Sequence, residues 1–339
     1  MHQIYKDRIN QQDDDLVPSF PSVSSAMYRH RRQNIAPLPR SRADVDLPDQ
    51  WTTTQNGRRF LLFVDGEEDK ILAFCSDEAL EALQSADKIY LDGTFSSCPP
   101  LWNQVYIIHA RNGSTMFPLV YALLPDRQRA TYTRLFDLLK TKVQETPNRT
   151  LGPSVIQTDF ELAAIQAAEN VFPQADVKGC PFHFCQAIWR KTQELGLAVT
   201  CKEDGEVRKW IRRSTGLPLL PLREVQDAWL DAMTQCPDVR QSDAMNDYIV
   251  ATWVDDDARF PPRLWNHHAA QGPRTNNNHE VELPERAKLT QIKFGAAPPR
   301  RKAVYREKEQ RLARLKEQLR PQEKTTLQYL DAVGPLMIK

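Results

Sequence analysis

The sequence has little of several features that would assign a protein to a class at once. Its six cysteines show no CxxC spacing, so a disulfide framework is not expected and a reducing compartment is favoured. The longest strongly apolar run, Met116–Leu124, is too short to cross a bilayer and contains Pro118. The first residues are polar, without a signal-peptide pattern, and no internal repeat is found. These features predict a protein of the cytosol or nucleus with no membrane span.

An excess of charge of one sign is also lacking. The 339 residues include 45 Lys and Arg against 44 Asp and Glu, which gives a net charge close to zero. A balanced total neither supports nor excludes nucleic-acid binding, because local basic patches suffice. With 41% apolar residues, the chain can bury a sizeable core in one large or two ordinary domains.

Residues 1–50 are predicted to form a basic and polar N-terminal arm. Their apolar residues show no regular spacing, and three aspartates stand in succession. A basic run follows, which comprises Arg29, Arg31, Arg32, Arg40 and Arg42. This composition favours a partly ordered tail, and a nuclear-import or phosphate-contacting segment is the alternative. Residues 51–86 are predicted as a small β-rich lead-in, with a hairpin over Arg59–Val64 and Lys70–Phe74 and a short helix capped by Ser76.

Residues 87–199 show a regular alternation of elements. The predicted strands are 88–92, 104–109, 116–124, 154–157 and 176–178. Three helices are predicted: the first covers 131–144, the second begins near 162, and the third ends near 195. The order is therefore β-β-β-α-β-α-β-α. It predicts an α/β (α+β) mixed sheet with helices packed on it, which is the order of a ribonuclease H-like domain.

The remainder of the chain reads as helical and then polar. Residues 200–272 are predicted to be a helical insertion because tryptophans recur at helical spacing, namely Trp210, Trp229, Trp253 and Trp265. Residues 273–339 are predicted to form a polar segment followed by a charged helix or tail with a narrow leucine stripe at Leu312, Leu315 and Leu319. A solvated charged helix is favoured, and a short coiled-coil seam is the alternative.

Two aspartates end strands of the predicted sheet. Asp92 ends the first core strand and Asp159 ends the fourth. If these strands lie side by side, both carboxylates project from one edge of the sheet. Two divalent ions about 3.5–4 Å apart can clamp an in-line phosphodiester displacement, and converging carboxylates hold such ions. For either aspartate alone, a turn cap is the alternative interpretation.

Four segments, in order, resemble the transposase domain of Mutator-like elements (MULE). Asp92-Gly93-Thr94-Phe95, followed by Gln104–His109, is similar to its opening, and Thr158–Glu161 to its second acidic motif. Lys178–Arg190 resembles its Cys-x-x-His signature and the helix after it. Arg274–Glu280 resembles its Arg-Thr-Asn-Asn-x-x-Glu segment, and the resemblance extends over about residues 25 to 320.

This resemblance implies a DNA transposase that cleaves DNA and transfers strands with divalent metal. It implies that Asp92, Asp159 and Glu280 are the catalytic metal ligands and that Mg²⁺ or Mn²⁺ is the cofactor. The implied partners are the element ends and target DNA, with a possible homo-oligomer and no membrane. The implied location is the nucleus.

Five further residues belong to the family signatures. Cys180 and His183 are expected beside the metal centre, where the histidine touches DNA or orders the helix start; zinc ligation and buried packing are the alternatives. Arg274, Asn276 and Asn277 are expected in a loop that contacts phosphate or positions the glutamate, and an ordinary polar loop is the alternative.

The sequence departs from the family pattern in two places. Glu280 runs into Val281-Glu282-Leu283-Pro284, and because proline disfavours α conformation in the residue before it, a helix holding Glu280 should stop near Glu282. A FLYWCH-type zinc module is not expected, since Cys75 is the first cysteine. We therefore expect impaired cleavage, and a catalytically inactive, transposase-derived DNA- or protein-binding protein is the alternative. A metal-dependent nuclease outside transposition is a third, weaker interpretation.

Overall fold

The structure, a computed structural model, describes residues 20–33, 39–112, 115–145, 150–270, 303–319 and 324–337. The chain divides into two units, Met1–Asp46 and Leu47–Lys339. The first unit contains helix α1 (Phe20–Gln33), which includes Arg29 of the predicted basic run. In the described part of the chain, no helix is long and apolar enough to cross a membrane.

The second unit is built on a mixed sheet of seven strands. Its elements up to the end of the sheet are, in order, α2 (Asp49–Thr52), β1 (Leu61–Asp65), β2 (Ile71–Phe74), α3 (Asp77–Gln84), β3 (Lys88–Thr94), β4 (Gln104–Asn112), β5 (Thr115–Leu124), α4 (Arg129–Gln144), β6 (Val155–Thr158), α5 (Leu162–Val171), β7 (Asp176–Gly179) and α6 (Pro181–Glu194). The predicted mixed α/β class and the predicted order of strands and helices are confirmed.

Strand pairing brings the first and fourth strands of the predicted core together. The sheet order is β1-β2-β5-β4-β3-β6-β7. β3 pairs with β4 antiparallel and with β6 parallel, with Tyr90 opposite Gln157. β6 in turn pairs with β7 in parallel. The two strands lie side by side, as expected, but β3 does not end at Asp92: it continues to Thr94, because Gly93 and Thr94 still pair with β4.

Helices cover the sheet because its strands are too apolar to face water on both sides. Ile89, Leu91 and Ile156 are buried in the sheet, and Leu135 and Ile188 are buried on the helices packed against it. α3 begins at the Ser76 cap predicted from the sequence, since the Ser76 hydroxyl accepts a hydrogen bond from the Ala79 N–H.

A helical stretch follows the sheet. It comprises α7 (Leu197–Glu203), α8 (Gly205–Gly216), 3-10 turns at Leu217–Leu219 and Leu222–Glu224, α9 (Val225–Thr234), α10 (Ser242–Ile249), a π-helical turn at Val250–Val254 and α11 (Pro262–Trp265). The helical character expected from the tryptophan spacing is observed. All four tryptophans are buried in the core, so their spacing marks the face on which each element packs.

Two C-terminal helices complete the described chain, α12 (Ala303–Gln318) and α13 (Thr326–Met337). Leu312 and Leu315 of α12 are buried in the common core, so this charged helix packs along one side rather than being solvated all round. α13 lies against α8, where the Arg213 guanidinium donates to both carboxylate oxygens of Asp331 at 2.6 and 3.0 Å. The C-terminal helices are therefore part of the second unit.

Candidate active site

Asp92 lies within β3, and Asp159 directly follows the last residue of the adjacent strand β6. Tyr90 is opposite Gln157 in the parallel pair. Asp92 and Asp159 each follow two residues later in the chain, so they lie at the same level of the sheet. The negative charge of Asp92 is close enough to raise the pKa of Asp159. The sequence therefore predicted correctly that these residues would share one sheet edge; we refer to them as the acid pair.

Asp159 holds its proton more tightly than an ordinary aspartate. Burial is the main cause, and together with repulsion from Glu161 and Asp92 it raises the pKa of Asp159 to about 6. The positive charge of His183 and a hydrogen bond from the Thr158 hydroxyl oppose this shift. A partly buried carboxylate beside two other acids is an unfavourable arrangement unless a cation joins it.

His183 makes an ion-pair contact with Asp92. Cys180 is the residue before α6 and Pro181 is its first residue, which places His183 in the first turn, with its Nε2 3.9 Å from Oδ1 of Asp92. Burial lowers the pKa of His183, but the Cys180 side chain and the charges of Asp159 and Asp92 outweigh it and raise that pKa overall. At 3.9 Å the contact is an ion pair and not a hydrogen bond.

An aromatic cluster fixes the residue that follows Asp159. The Phe160 ring meets Trp253 edge-on at a centroid distance of 4.7 Å and Phe260 at 5.1 Å. On its other side Gly179 leaves the space, because a Cβ there would lie 2.3 Å from the ring. The helical stretch thus holds the backbone next to the acid pair, a role that the sequence analysis did not assign.

A buried phenol lies beneath the acid pair. Tyr106 on β4 is opposite Gly93 and is fully buried, with its ring 5.0 Å from that of Tyr132. Burial, followed by the charge of Asp159, raises the pKa of Tyr106 well above its ordinary value. Tyr106 therefore stays neutral and supplies a dipole, not a charge, next to Asp159.

A third acidic side chain at this edge is already paired. Glu161 accepts two hydrogen bonds from the Arg127 guanidinium, from Nε and from one terminal nitrogen, each at 2.9 Å. This carboxylate is 10% exposed, and the pair is planar and bidentate. Arg127 also lies over the Phe95 ring, with 4.9 Å between the guanidinium carbon and the ring centroid.

The acid pair can be compared with what a divalent metal ion requires. In the described ranges, no group of three or more His, Cys, Asp or Glu side chains is arranged to hold a metal ion. Glu280, Arg274, Asn276 and Asn277, which the sequence analysis expected here, lie outside the described residues. The acid pair itself fits Mg²⁺ or Mn²⁺, since hard cations prefer carboxylate oxygens and binding would offset the cost of the buried Asp159 charge.

Comparison with known proteins identifies the segment that holds this edge. No curated protein matches the chain. The family model of the MULE transposase domain matches residues 88–187, which run from the start of β3 into α6 and include Asp92, Asp159, Cys180 and His183. Residues 88–187, under a third of the chain, are therefore similar to the MULE transposase domain.

Proposed function

We propose that the protein is a MULE-type DNA transposase, which cleaves DNA and transfers strands with the help of divalent metal. The observation that carries this proposal is the acid pair, level on adjacent parallel strands inside the segment that matches the family. The proposal includes a nuclear location, the element ends and target DNA as partners, and a homo-oligomer as a possible assembly.

A ribonuclease H-like fold is part of the proposal. Among the seven strands, five have the order β5-β4-β3-β6-β7, with β5, β4 and β3 antiparallel in succession and β6 and β7 parallel to β3. The order of these elements along the chain and the neighbouring β3 and β6 are what the sequence analysis expected of a ribonuclease H-like domain. β1 and β2 extend the sheet beyond it, next to β5. The helical stretch after α6 supports the further proposal of an inserted helical domain.

The residues at this edge would have separate tasks in such a reaction. Asp92, Asp159 and, by resemblance, Glu280 would hold Mg²⁺ or Mn²⁺, which when bound stabilises charge on the attacking and leaving oxygens of the phosphodiester. His183 offsets part of the negative charge of the acid pair and would donate a hydrogen bond to a DNA phosphate. Phe160 holds the backbone of Asp159 in place.

A second candidate function is a catalytically inactive, transposase-derived DNA- or protein-binding protein. The observation that favours it is the sequence after Glu280, where Val281-Glu282-Leu283-Pro284 replaces the Gly-aromatic-His helix of the family. A catalytic carboxylate has to be held within about 0.5 Å of its productive position, which requires a supporting element. The first function predicts that cleavage can be restored, and the second predicts that it cannot.

Calorimetry tests the metal site. Mg²⁺ or Mn²⁺ is expected to bind weakly to the full chain and more tightly with DNA, because two carboxylates and water leave a site that substrate phosphate completes. The double variant Asp92→Ala, Asp159→Ala is expected to abolish this binding. Equal binding by the wild type and the double variant would show that the metal lies elsewhere.

Cleavage of a supercoiled plasmid in Mn²⁺ tests the reaction. The chain as given is expected to cut poorly, and a variant with a family-like Gly-aromatic-His helix after Glu280 is expected to cut faster, with the gain lost on Asp159→Ala. If the chain as given cuts at full rate and Glu280→Ala has no effect, Glu280 is wrongly assigned. If the restored variant binds DNA without cutting it, the second function is favoured.

A further inference from the structure

One aromatic side chain at the edge of the acid pair is exposed to solvent. Phe95 follows the last residue of β3, three positions after Asp92, and its side chain is 49% exposed. Its carbonyl oxygen accepts a hydrogen bond from the Cys98 N–H at 3.1 Å, so a tight turn fixes its backbone. A single exposed ring is common on protein surfaces and indicates nothing by itself.

The second observation is the cation on this ring. The Arg127 guanidinium lies over Phe95 and is oriented by its two hydrogen bonds to Glu161. The bond to Glu161 is also the main reason why the pKa of Arg127 is raised. Because one edge of the guanidinium is committed to Glu161, Arg127 is fixed in its plane and presents a flat face, unlike a mobile phosphate-binding arginine.

Both groups stand at the edge where cleavage is proposed. Glu161 is the residue before α5 and lies two positions after Asp159. Phe95 extends the strand that bears Asp92, and Arg127 bridges from the segment before α4 to Glu161. The ring and guanidinium, here named the Phe95–Arg127 platform, are thus anchored on the same two strand ends as the acid pair.

We propose that the Phe95–Arg127 platform stacks an unpaired nucleobase of the DNA substrate beside the phosphate to be cut. The inference rests on the proposed function, since it needs DNA at the acid pair. Every nucleobase offers a π face, and stacking on aromatic and arginine side chains is sequence-tolerant and strengthened by the cation. A base inside an intact duplex cannot reach the ring, so the platform selects DNA that is unpaired or readily unstacked.

The test compares two duplexes of the same sequence, one fully paired and one with a single unpaired 2-aminopurine. Full-length protein is used without added metal, so that no cleavage competes with binding. Fluorescence anisotropy measures affinity, and 2-aminopurine emission, which stacking quenches, reports contact with the ring. The proteins are the wild type, Phe95→Leu, Phe95→Ala, Phe95→Trp and Trp51→Ala. Phe95→Leu keeps apolar bulk without a π face.

Trp51 provides the matched control. It is an aromatic residue with 57% exposure on α2, which leads into β1, and β1 is four strands away from β3 in the sheet. Phe95→Leu and Phe95→Ala are expected to weaken binding of the unpaired duplex about 5- to 100-fold and to lose the quenching. They are expected to change binding of the paired duplex less than about twofold, whereas Phe95→Trp and Trp51→Ala retain both signals.

Each contrary result has a distinct meaning. If Phe95→Leu loses the same affinity for both duplexes, or if its affinity and quenching equal those of the wild type, the stacking proposal is overturned. The proposal that the protein binds DNA is unaffected by either result. A wild type that binds neither duplex would overturn the stacking proposal and the proposed function together. Because Phe95 is half exposed, its variants are expected to keep the circular dichroism spectrum and melting temperature of the wild type, and Phe95→Leu tests the ring even if Phe95→Ala loses stability.

Discussion

Replacing Gly179 with alanine is expected to strain the contact between the sheet and the aromatic cluster. An alanine Cβ at this position would lie 2.3 and 2.4 Å from two carbons of the Phe160 ring. Carbon atoms make favourable contacts at about 3.5–4.0 Å, so one of the two groups has to move by more than an ångström. The cost depends on whether either group can move.

Neither side of this contact has room to yield. The Phe160 ring is held by Trp253 and Phe260, and its backbone follows β6. Gly179 pairs with Thr158 in the sheet, and its carbonyl oxygen lies 2.8 Å from Nε2 of His267. Overpacking of this kind costs about 1–3 kcal/mol. The melting temperature should fall by about 2–4 °C for each kcal/mol lost, as in domains of somewhat smaller size.

The same substitution is expected to weaken binding at the proposed metal site. Phe160 follows Asp159 directly, so a displaced ring shifts the carboxylate of the acid pair. Changes in groups that support metal ligands typically cost about 10- to 100-fold in metal affinity. Calorimetry with Mn²⁺ measures this loss, and urea unfolding of the same preparation measures stability.

Two companion variants separate the steric effect from a general effect of alanine. A Cβ at Gly152 would meet nothing within 4 Å, so Gly152→Ala is expected to leave stability unchanged or to raise it by about 0.4–1 kcal/mol. Phe160→Leu makes space, and a double-mutant cycle with Gly179→Ala should show a favourable coupling. If Gly179→Ala is as stable as Gly152→Ala, or if Phe160→Leu gives no coupling, the steric argument is wrong.

Local sequence patterns were enough to predict the sheet and the position of the acid pair. Runs of β-branched and aromatic residues mark each strand, and each aspartate ends such a run, as in Tyr90-Leu91-Asp92. Parallel pairing of β3 with β6 then follows from the order of elements, because chain connections restrict the possible sheets. The attachment of β1 and β2 to the free edge of β5 could not be predicted, since a hairpin pattern carries no information about its neighbour.

The support of the acid pair depends on contacts between residues far apart in the chain. Phe160 packs on Trp253 and Phe260, and Arg127 reaches Glu161, whereas no local period in the sequence links these residues. The many charged residues of α12 suggested a helix surrounded by solvent, but its two buried leucines pack it against the core. Such contacts are determined by tertiary packing, which leaves no periodic pattern in the sequence from which they could be predicted.

Three further predictions concern charges around the acid pair and the C-terminal helix. Glu161→Gln removes a charge that raises the pKa of Asp159, so NMR titration of the carboxylate carbons should show this pKa below about 6; an unchanged value would contradict the coupling. Asp331→Asn leaves the Arg213 guanidinium, 4% exposed, without its bidentate partner and should lower the free energy of unfolding by about 1.5–3 kcal/mol in urea. Asp159→Asn should stabilise the protein above about pH 7 and have little effect near pH 4. Burial raises the pKa of folded Asp159 from 3.8 to about 6, so the ionised carboxylate is the unfavourable form. The stability linked to this group is therefore fully present below about pH 4 and is lost as the pH rises through about 6, the pKa in the folded state. A shift of about two units corresponds to at most about 3 kcal/mol, and solvent screening leaves about 1–2 kcal/mol for asparagine to recover. Free energies of unfolding of the two proteins that stay parallel across this pH range would show that the Asp159 charge costs the fold nothing.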